Sequence, residues 1–265
     1  MKHIVFSDVD GTLFSTQRKI TPLTREAILS LQAKGIPFVI TSGRSPSGVY
    51  PILADYGFNC PLVLYNGALI LDEERNVVFH QGIEKPDARA MVDYLENCGI
   101  DLTWCVYSLD QWIVKDSSDP YVKREEEIVR TFTVQGNVDT AEADQISKIL
   151  CICDPADTDR LEKVMQEAFP RFSIAKSCDK MVEIMAEGVT KATAVSELSR
   201  LWQVPVEDIV AFGDNYNDVE MLEAAGKGFI MANASADLLE RFSLHSEGDN
   251  DHDGIYHTLK KLEMI

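Results

Sequence analysis

Short apolar runs alternate with segments of helical period at both ends of this chain. The first three runs are His3 to Phe6, Ile36 to Ile40 and Pro61 to Tyr65, and two more follow at Ile209 to Phe212 and Gly228 to Met231. Apolar strands separated by crossover helices are typical of a parallel sheet covered by helices. The two ends of the chain therefore predict one α/β domain.

The middle of the chain has a different order of elements. A helix from Pro86 to Cys98 precedes two strand candidates, and a second helix at about 157–169 precedes two more. Such helix-strand-strand units do not continue the alternation of the two ends. We predict an inserted α+β domain at residues 83–187, within a core formed by residues 1–82 and 188–265.

The first core helix is predicted from its capping residues and from the spacing of its apolar residues. Thr21 and Pro22 are expected to cap this helix, and Gly35 is expected to end it. The spacing predicts a buried face made of Leu23, Ala27, Ile28 and Leu31.

The chain is strongly acidic, with a formal net charge of -18 over 265 residues. Nucleic acid binding needs a basic stripe, and none is visible, so nucleic acid is excluded as a partner. An acidic surface repels anionic membranes, and no apolar run approaches the ~20 residues of a membrane span. Because no signal-type segment precedes the first strand, we expect a cytoplasmic protein. Its oligomeric state, monomer or dimer, is left open.

The six cysteines, without a secretory signal, are expected to be reduced thiols. Cys151 and Cys153 share one face of an apolar segment, which is also the spacing of a C-x-C metal site. No histidine or second close pair lies near them in the sequence, so we expect core residues.

Polar, glycine-containing segments follow four of the core strands. Ligands bind beyond the carboxyl ends of the strands in open α/β sheets, so these segments are expected to converge on one edge. They are Asp8 to Thr12, Thr41 to Arg44, Asn66 to Ala68, and Gly213 to Asp218.

Four carboxylates come together in this prediction. Asp8 and Asp10 are two residues apart, so they point to the same side on extended backbone. With Asp214 and Asp218 they would repel by ~4 kcal/mol per close pair at an effective dielectric of 20, which a divalent cation would offset. Since no histidine or cysteine lies in these segments, the oxygen ligands favour Mg²⁺.

The same edge carries features that suit an anion. Ser42 and Gly43 offer a hydroxyl and backbone N–H groups, and Lys191 lies in the first turn of a helix that Thr190 can cap. A metal held by aspartates beside a lysine is suited to a phosphoryl group.

Each of these features has a simpler interpretation when it is taken alone. A D-x-D pair is common in turns, the Ser42 segment could be an ordinary loop, and Lys191 could be a solvated helix residue. Asn217 or Asp218 could cap the helix that follows. Their order, each at the end of a strand, favours a joint function.

The chain resembles the haloacid dehalogenase superfamily, and within it the Cof-type sugar phosphatases with a type IIB cap. Four motifs carry the resemblance, together with NGA after the third strand and DNDHDGI at 249–255: they are DVDGTL, ITSGR, GVTKATAV with Lys191, and GDNYND. The resemblance implies a Rossmann-like parallel sheet with helices on both faces and an inserted α+β cap that closes over the site and determines specificity. It also implies a Mg²⁺-dependent phosphatase acting on small phosphate esters, with sugar phosphates as the expected substrates.

The resemblance also implies a role for each matching residue. Asp8 would be the nucleophile that forms an aspartyl-phosphate, and Asp10 would protonate the leaving oxygen and then activate water. The residues expected to hold the phosphoryl oxygens are Ser42, Gly43, Lys191 and Asn217. Mg²⁺ would be bound by Asp8, the backbone carbonyl of Asp10, and Asp214. The supporting residues would be Asp218, Arg44 and Asn66.

Three other functions remain open at this point. A phosphomutase of the same superfamily would share the core motifs. A calcium-binding module is suggested by Asp249 to Gly254, which match the first half of an EF-hand loop, but position 12 is Lys260 where a glutamate is needed. A non-catalytic regulator with the same fold is the third, although every catalytic position is filled.

Overall fold

The structure, a computed structural model, describes residues 3–129 and 131–265. These residues divide into two units. The first contains the described residues up to Gly43, together with Pro51–Phe79 and Thr190–Ile265, and the second contains Arg44–Tyr50 and His80–Val189. The boundaries between core and inserted domain, at residues 82/83 and 187/188, stay a prediction.

The secondary structure elements fall into three groups along the chain. The first group is β1 (Ile4–Asp8), α1 (Pro22–Ala33), β2 (Phe38–Thr41), α2 (Pro46–Tyr56), β3 (Leu62–Leu64), β4 (Leu69–Leu71) and β5 (Val77–His80). The second is β6 (Ile83–Glu84), α3 (Lys85–Asn97), β7 (Leu102–Ser108), β8 (Gln111–Val114), α4 (Pro120–Val129), β9 (Val134–Gln135), β10 (Gln145–Ile146), β11 (Lys148–Cys153), α5 (Pro155–Ala168), β12 (Ser173–Cys178) and β13 (Met181–Met185). The third is α6 (Lys191–Trp202), β14 (Ile209–Gly213), α7 (Val219–Ala224), β15 (Lys227–Ile230), α8 (Ala236–Arg241) and α9 (Gly254–Lys261).

A seven-stranded sheet forms the centre of the first unit. Its strand order is β15-β14-β1-β2-β3-β4-β5, and the pairs from β15 to β3 are parallel. In this register Asp8 lies opposite Thr41, and Ser7 lies opposite Phe212. The carboxyl ends of β1, β2 and β14 therefore lie side by side, and the predicted α/β class is confirmed.

Both faces of this sheet are buried. Successive side chains of a strand point to opposite faces, and in this sheet apolar side chains occupy both. On one face, Ile4 and Phe6 of β1 join a core cluster with Ala194, Val195 and Leu198 of α6. Residues whose side chains point to the other face, such as Val5 and Ile40, are also fully buried. Helices α1 and α9 pack against each other, and α1 also contacts β2.

Helix α1 differs from the prediction in two respects. Its buried residues are Thr24, Ala27, Ile28 and Leu31, whereas Leu23 is 36% exposed, so including Leu23 in the core face was wrong. Thr21 is the N-cap residue, but its side chain makes no capping hydrogen bond. The Thr21 hydroxyl instead donates to Asp253, a distant partner that local spacing cannot reveal.

The second unit contains a separate six-stranded sheet of order β12-β13-β11-β7-β8-β9. All its neighbouring pairs are antiparallel except β8 with β9. The predicted helix-strand-strand units correspond to α3-β7-β8 and α5-β12-β13. Cys151 and Cys153 are buried free thiols in β11, as expected of core residues. Among the helices of residues 3–129 and 131–265, none is long and apolar enough to span a membrane.

Candidate active site

The site is built around Asp8, which the buried strand β1 carries to the carboxyl edge of the sheet. The Asp8 residue is 7% exposed, and Lys191 in the first turn of α6 is completely buried. Lys191 Nζ lies 2.5 Å from Asp8 Oδ1 and 2.5 Å from Asp218 Oδ1. A buried ammonium group thus holds two buried carboxylates, which is the pairing that buried charges require.

Asp218 has both carboxylate oxygens occupied. Its Oδ1 accepts from Lys191, and its Oδ2 accepts from the backbone N–H groups of Asp214 and Asn215, each at 3.0 Å. Asp218 therefore fixes the lysine and the start of its own loop. The bond from Lys191 to Asp8 is made to a single carboxylate oxygen, Oδ1.

Asp214 completes the group of carboxylates. Its Oδ1 accepts a hydrogen bond of 2.7 Å from the Thr12 hydroxyl, and the residue is half-buried. Asp8, Asp214 and Asp218 each offer a carboxylate oxygen within 4.8 Å of the others. Within the part of the chain that the structure describes, no other group of three or more metal-ligating side chains is so close.

Burial, together with neighbouring charges, shifts the pKa values of the site residues. Burial and the nearby charge of Asp218 raise the pKa of Asp8 to about 7, against the opposing effect of Lys191. Burial also raises the pKa of Asp214 to about 6, while the Thr12 hydrogen bond acts in the opposite direction. Burial alone would lower the pKa of Lys191, but the charges of Asp8 and Asp218 raise it above its ordinary value.

These residues fit a divalent cation. One lysine charge faces three carboxylates, so the group has an excess of negative charge. Hard oxygen donors without nitrogen or sulfur suit Mg²⁺. Since both oxygens of Asp218 are already hydrogen-bonded, Asp8 and Asp214 are the side chains best able to bind the ion.

A second set of predicted residues is also brought together. Asn66 N donates to Ser42 O at 3.0 Å, and Asn217 Nδ2 lies 3.4 Å from Asn66 Oδ1. A Cβ atom on Gly43 would lie 3.3 Å from the Asn66 amide. The four residues Ser42, Gly43, Asn66 and Asn217 thus form one polar group beyond β2 and β3.

One detail of the anion-site prediction was wrong. Ser42 N–H was expected to be accessible, but it donates to Val63 O at 2.8 Å as part of the sheet. The sheet hydrogen bonding continues one residue beyond β2, so the Ser42 N–H is not accessible for the predicted role.

The roles predicted for Asp10 and Arg44 stay predictions. Asp10 is exposed and forms a bridge with Phe14, and its carboxylate is not among the three that lie within 4.8 Å of one another. The metal ligand predicted from Asp10 was its backbone carbonyl, which stays a prediction. Arg44 belongs to the second unit, and its supporting role stays a prediction too.

Several residues around the site were missed by the sequence analysis. Thr12 lies in the noticed DGT segment, but its bond to Asp214 joins residues far apart in the chain. Asn233 Nδ2 donates to Gly11 O at 2.8 Å from the loop after β15. No local pattern marks these partners, because they come together only when the sheet has formed.

Comparison with known proteins places this geometry in a family. The family model of haloacid dehalogenase-like hydrolases matches residues 5–259. The chain belongs to the haloacid dehalogenase-like hydrolases. A Haemophilus influenzae relative named "Putative phosphatase" is 31% identical over 260 residues, covering 96% of both chains. A Bacillus subtilis relative with the name "Putative phosphatase YkrA" is 26% identical, covering 99% of this chain and 98% of its own.

Solved structures of the family share the fold. A crystal structure from Thermotoga maritima has a TM-score of 0.87 at 25% identity, covering 98% of this chain and 97% of its own. A structure described as a subclass IIB sugar phosphatase of the superfamily has a TM-score of 0.80 at 23% identity and covers all of both chains. The predicted superfamily, its IIB-type fold and the prediction of an enzyme of the phosphatase class are thus confirmed.

Proposed function

We propose that the protein is a Mg²⁺-dependent phosphatase that hydrolyses small phosphate monoesters, with sugar phosphates as substrates, through an aspartyl-phosphate. The observation that carries this proposal is the shared Lys191 ammonium, which contacts Asp8 and Asp218 beside Asp214. The description of one fold neighbour as a sugar phosphatase supports the substrate class. Residues 83–187 are proposed as the domain that selects the organic part of the substrate.

In the first half of the reaction, a carboxylate oxygen of Asp8 attacks phosphorus. The bond to the leaving oxygen breaks, and Asp10 gives that oxygen its proton. In the second half, Asp10 takes a proton from water, which attacks the aspartyl-phosphate and releases inorganic phosphate and Asp8. This route divides one difficult displacement into two easier ones.

The other residues supply charge and orientation. Lys191 balances charge on the phosphoryl oxygens while Asp218 holds the lysine in place, and the Ser42 hydroxyl, Gly43 and Asn217 are proposed to bind the same oxygens. Mg²⁺ would be held by Asp8, Asp214 and the carbonyl of Asp10. When bound, the ion supplies positive charge that neutralises the carboxylates and the phosphoryl group.

The first test is the release of inorganic phosphate from sugar phosphates, nucleotides and an aryl phosphate, with Mg²⁺ or with EDTA. We expect release with Mg²⁺ only, and none from the Asp8→Asn variant, which has no nucleophilic carboxylate. Asp208→Asn is the matched control, because the Asp208 carboxylate pairs with His3 near the opposite end of β14. Turnover retained in Asp8→Asn would overturn the assignment of the nucleophile.

A second test addresses the acid. Sugar leaving groups require protonation, whereas an activated aryl leaving group departs as an anion. Asp10→Asn should therefore slow sugar phosphate hydrolysis by about 100-fold or more, and aryl phosphate hydrolysis much less. Equal losses on the two substrates would argue against Asp10 as the proton donor.

A further inference from the structure

The acidic segment Asp249 to Asp253 has no place in the proposed chemistry. In the structure it packs along the chain that follows Asp10. The Asn250 side chain, in a residue that is 9% exposed, donates from Nδ2 to Phe14 O at 2.8 Å. One residue further, Asp251 Oδ1 accepts from Thr16 N at 2.8 Å and from Thr16 Oγ1 at 3.0 Å.

The same contact continues at both ends of the segment. Asp253 accepts a hydrogen bond from the Thr21 hydroxyl. At the other end, Asn250 N donates to Asn233 Oδ1 at 3.2 Å, and Asn233 Nδ2 donates to Gly11 O at 2.8 Å. Side chains of the C-terminal loops thus bind the chain after Asp10 in sequence order: Asn233 binds Gly11, Asn250 binds Phe14, Asp251 binds Thr16 and Asp253 binds Thr21.

These contacts disagree with the calcium-binding alternative. In an EF-hand loop the acidic side chains converge on one ion. Here Asp251 and Asp253 bind separate threonines, and Asp249 Oδ1 accepts from the backbone N–H groups of Asp251 and His252 within its own loop. The carboxylates therefore act as hydrogen-bond acceptors for the protein chain.

The loop that they hold is the one that carries Asp10. Its two ends are fixed to β1 and the residue after it, because Leu13 N donates to Asp8 O at 3.1 Å and Phe14 N donates to Val9 O at 2.8 Å. Within the loop, Gly11 O accepts a hydrogen bond from Asn233, and at its end Phe14 O accepts one from Asn250. The loop that carries Asp10 thus receives two hydrogen bonds from side chains of the C-terminal loops, and Asp251 binds Thr16 just beyond it.

We propose that Asn233, Asn250 and Asp251 are positioning residues that hold the Asp10 loop where Asp10 can protonate the leaving oxygen. This inference rests on the proposed function, since it needs Asp10 as the acid. Small displacements of a reacting group cost a large part of the rate. Loss of these bonds should therefore impair proton transfer more than the attack by Asp8, which the sheet and Lys191 hold.

The test compares a sugar phosphate with an aryl phosphate in variants of Asp251, which is exposed and whose loss should leave the fold intact. We expect Asp251→Ala to lower kcat on the sugar phosphate about 10-fold or more, with little change on the aryl phosphate. Asp251→Asn keeps an oxygen acceptor for both Thr16 bonds and should behave as the wild type. Asn250→Ser should resemble Asp251→Ala.

Glu247→Gln is the matched control on the same C-terminal segment, because Glu247 pairs with Lys261 and its side chain does not contact the Asp10 loop. Equal losses on both substrates in Asp251→Ala, or a loss in Asp251→Asn as large as in Asp251→Ala, would overturn the positioning role. The second result would indicate that the charge matters rather than the acceptor.

A readout without catalysis separates this inference from the proposed function. Hydrogen exchange should quicken at the amide of Thr16 and its neighbours in Asp251→Ala, and not in Asp251→Asn or Glu247→Gln. Unchanged exchange there would overturn the inference even if the wild type released no phosphate. An inactive wild type with the expected exchange pattern would overturn the phosphatase, and with it the acid role of Asp10, but not the contact.

Discussion

Lys191 is a fully buried cation whose two partners, Asp8 and Asp218, are themselves buried. Replacement by Met keeps the approximate volume but leaves two carboxylates without a counter-charge. We expect Lys191→Met to reduce the free energy of unfolding by about 3–5 kcal/mol, measured by urea denaturation in EDTA. Phosphate release should fall by about 100-fold or more.

A double variant tests whether the loss of stability comes from the unpaired charges. The double variant Lys191→Met, Asp218→Asn removes one of the two carboxylates that lose their counter-charge, so it should recover part of the stability. Activity should not return, because the phosphoryl group still lacks the lysine. A double variant no more stable than Lys191→Met would contradict this electrostatic account.

The charged residues that form the site were easier to predict than the hydrogen bonds between them. The residue types of Asp8, Asp214 and Lys191 predicted a cluster of opposite charges, and the structure brings these residues together, but the carboxylate of Asp10, also predicted there, is not in the observed group. The sequence did not predict that Asp218 would receive two backbone N–H groups, nor that Thr12 would bind Asp214. Such bonds depend on angles within loops, which residue spacing does not determine.

The backbone at the start of α6 lies directly against Gly67. A Cβ atom on Gly67, whose φ is +111°, would lie 2.1 Å from Thr190 O, next to Lys191. We expect Gly67→Ala to displace the first turn of α6, which should reduce kcat and cost about 1–3 kcal/mol of stability from the steric contact.

Gly35→Ala is the control for this substitution. Gly35 also has a positive φ, +69°, but a Cβ atom there would meet nothing within 4 Å. Its cost should be limited to about 1–2 kcal/mol of backbone strain, with kcat unchanged. If both variants lose stability equally and neither loses activity, contact with α6 is not what restricts position 67.

The five predicted core strands lie within about two residues of the observed ones, because buried runs have a strong pattern, but their functional ends were less certain. Strands β4 and β5, at the edge of the same sheet, were not predicted. Asp8 was placed after the first strand and is in fact its last residue. Ser42 N–H was thought accessible and is bonded within the sheet. In α1, Thr24 is buried where Leu23 was expected. The packing of a helix against its neighbours, and not the spacing of its apolar residues alone, determines which face is buried.

For the whole molecule, the site predicts how stability changes with pH. The pKa of Asp8 is raised to about 7 and that of Asp214 to about 6, so the folded state keeps protons that the unfolded chain has lost. Stability from these groups is therefore lost as the pH rises from about 4 to 7. Calorimetry in EDTA should show a melting temperature several degrees lower at about pH 7.5 than at about pH 5.

The net charge of -18 also weakens the fold as the pH rises, so a control is needed. Asp8→Asn removes the larger of the two pKa shifts and should flatten the dependence on pH. Added Mg²⁺ should raise the melting temperature at about pH 7.5 more in the wild type than in this variant. Parallel curves for the two proteins would mean that Asp8 contributes nothing to the effect.

The place of β1 between β2 and β14 has a consequence for synthesis on the ribosome. β2 is synthesised soon after β1, but β14 begins only at Ile209, so one edge of β1 stays unpaired while most of the chain is made. The six-stranded sheet of the second unit draws all its strands from residues 102–185 and can close first. A translational pause before Ile209 would prolong the exposure of an apolar strand edge that is prone to aggregation, so we expect the nascent chain to be a target for chaperones until β14 is made.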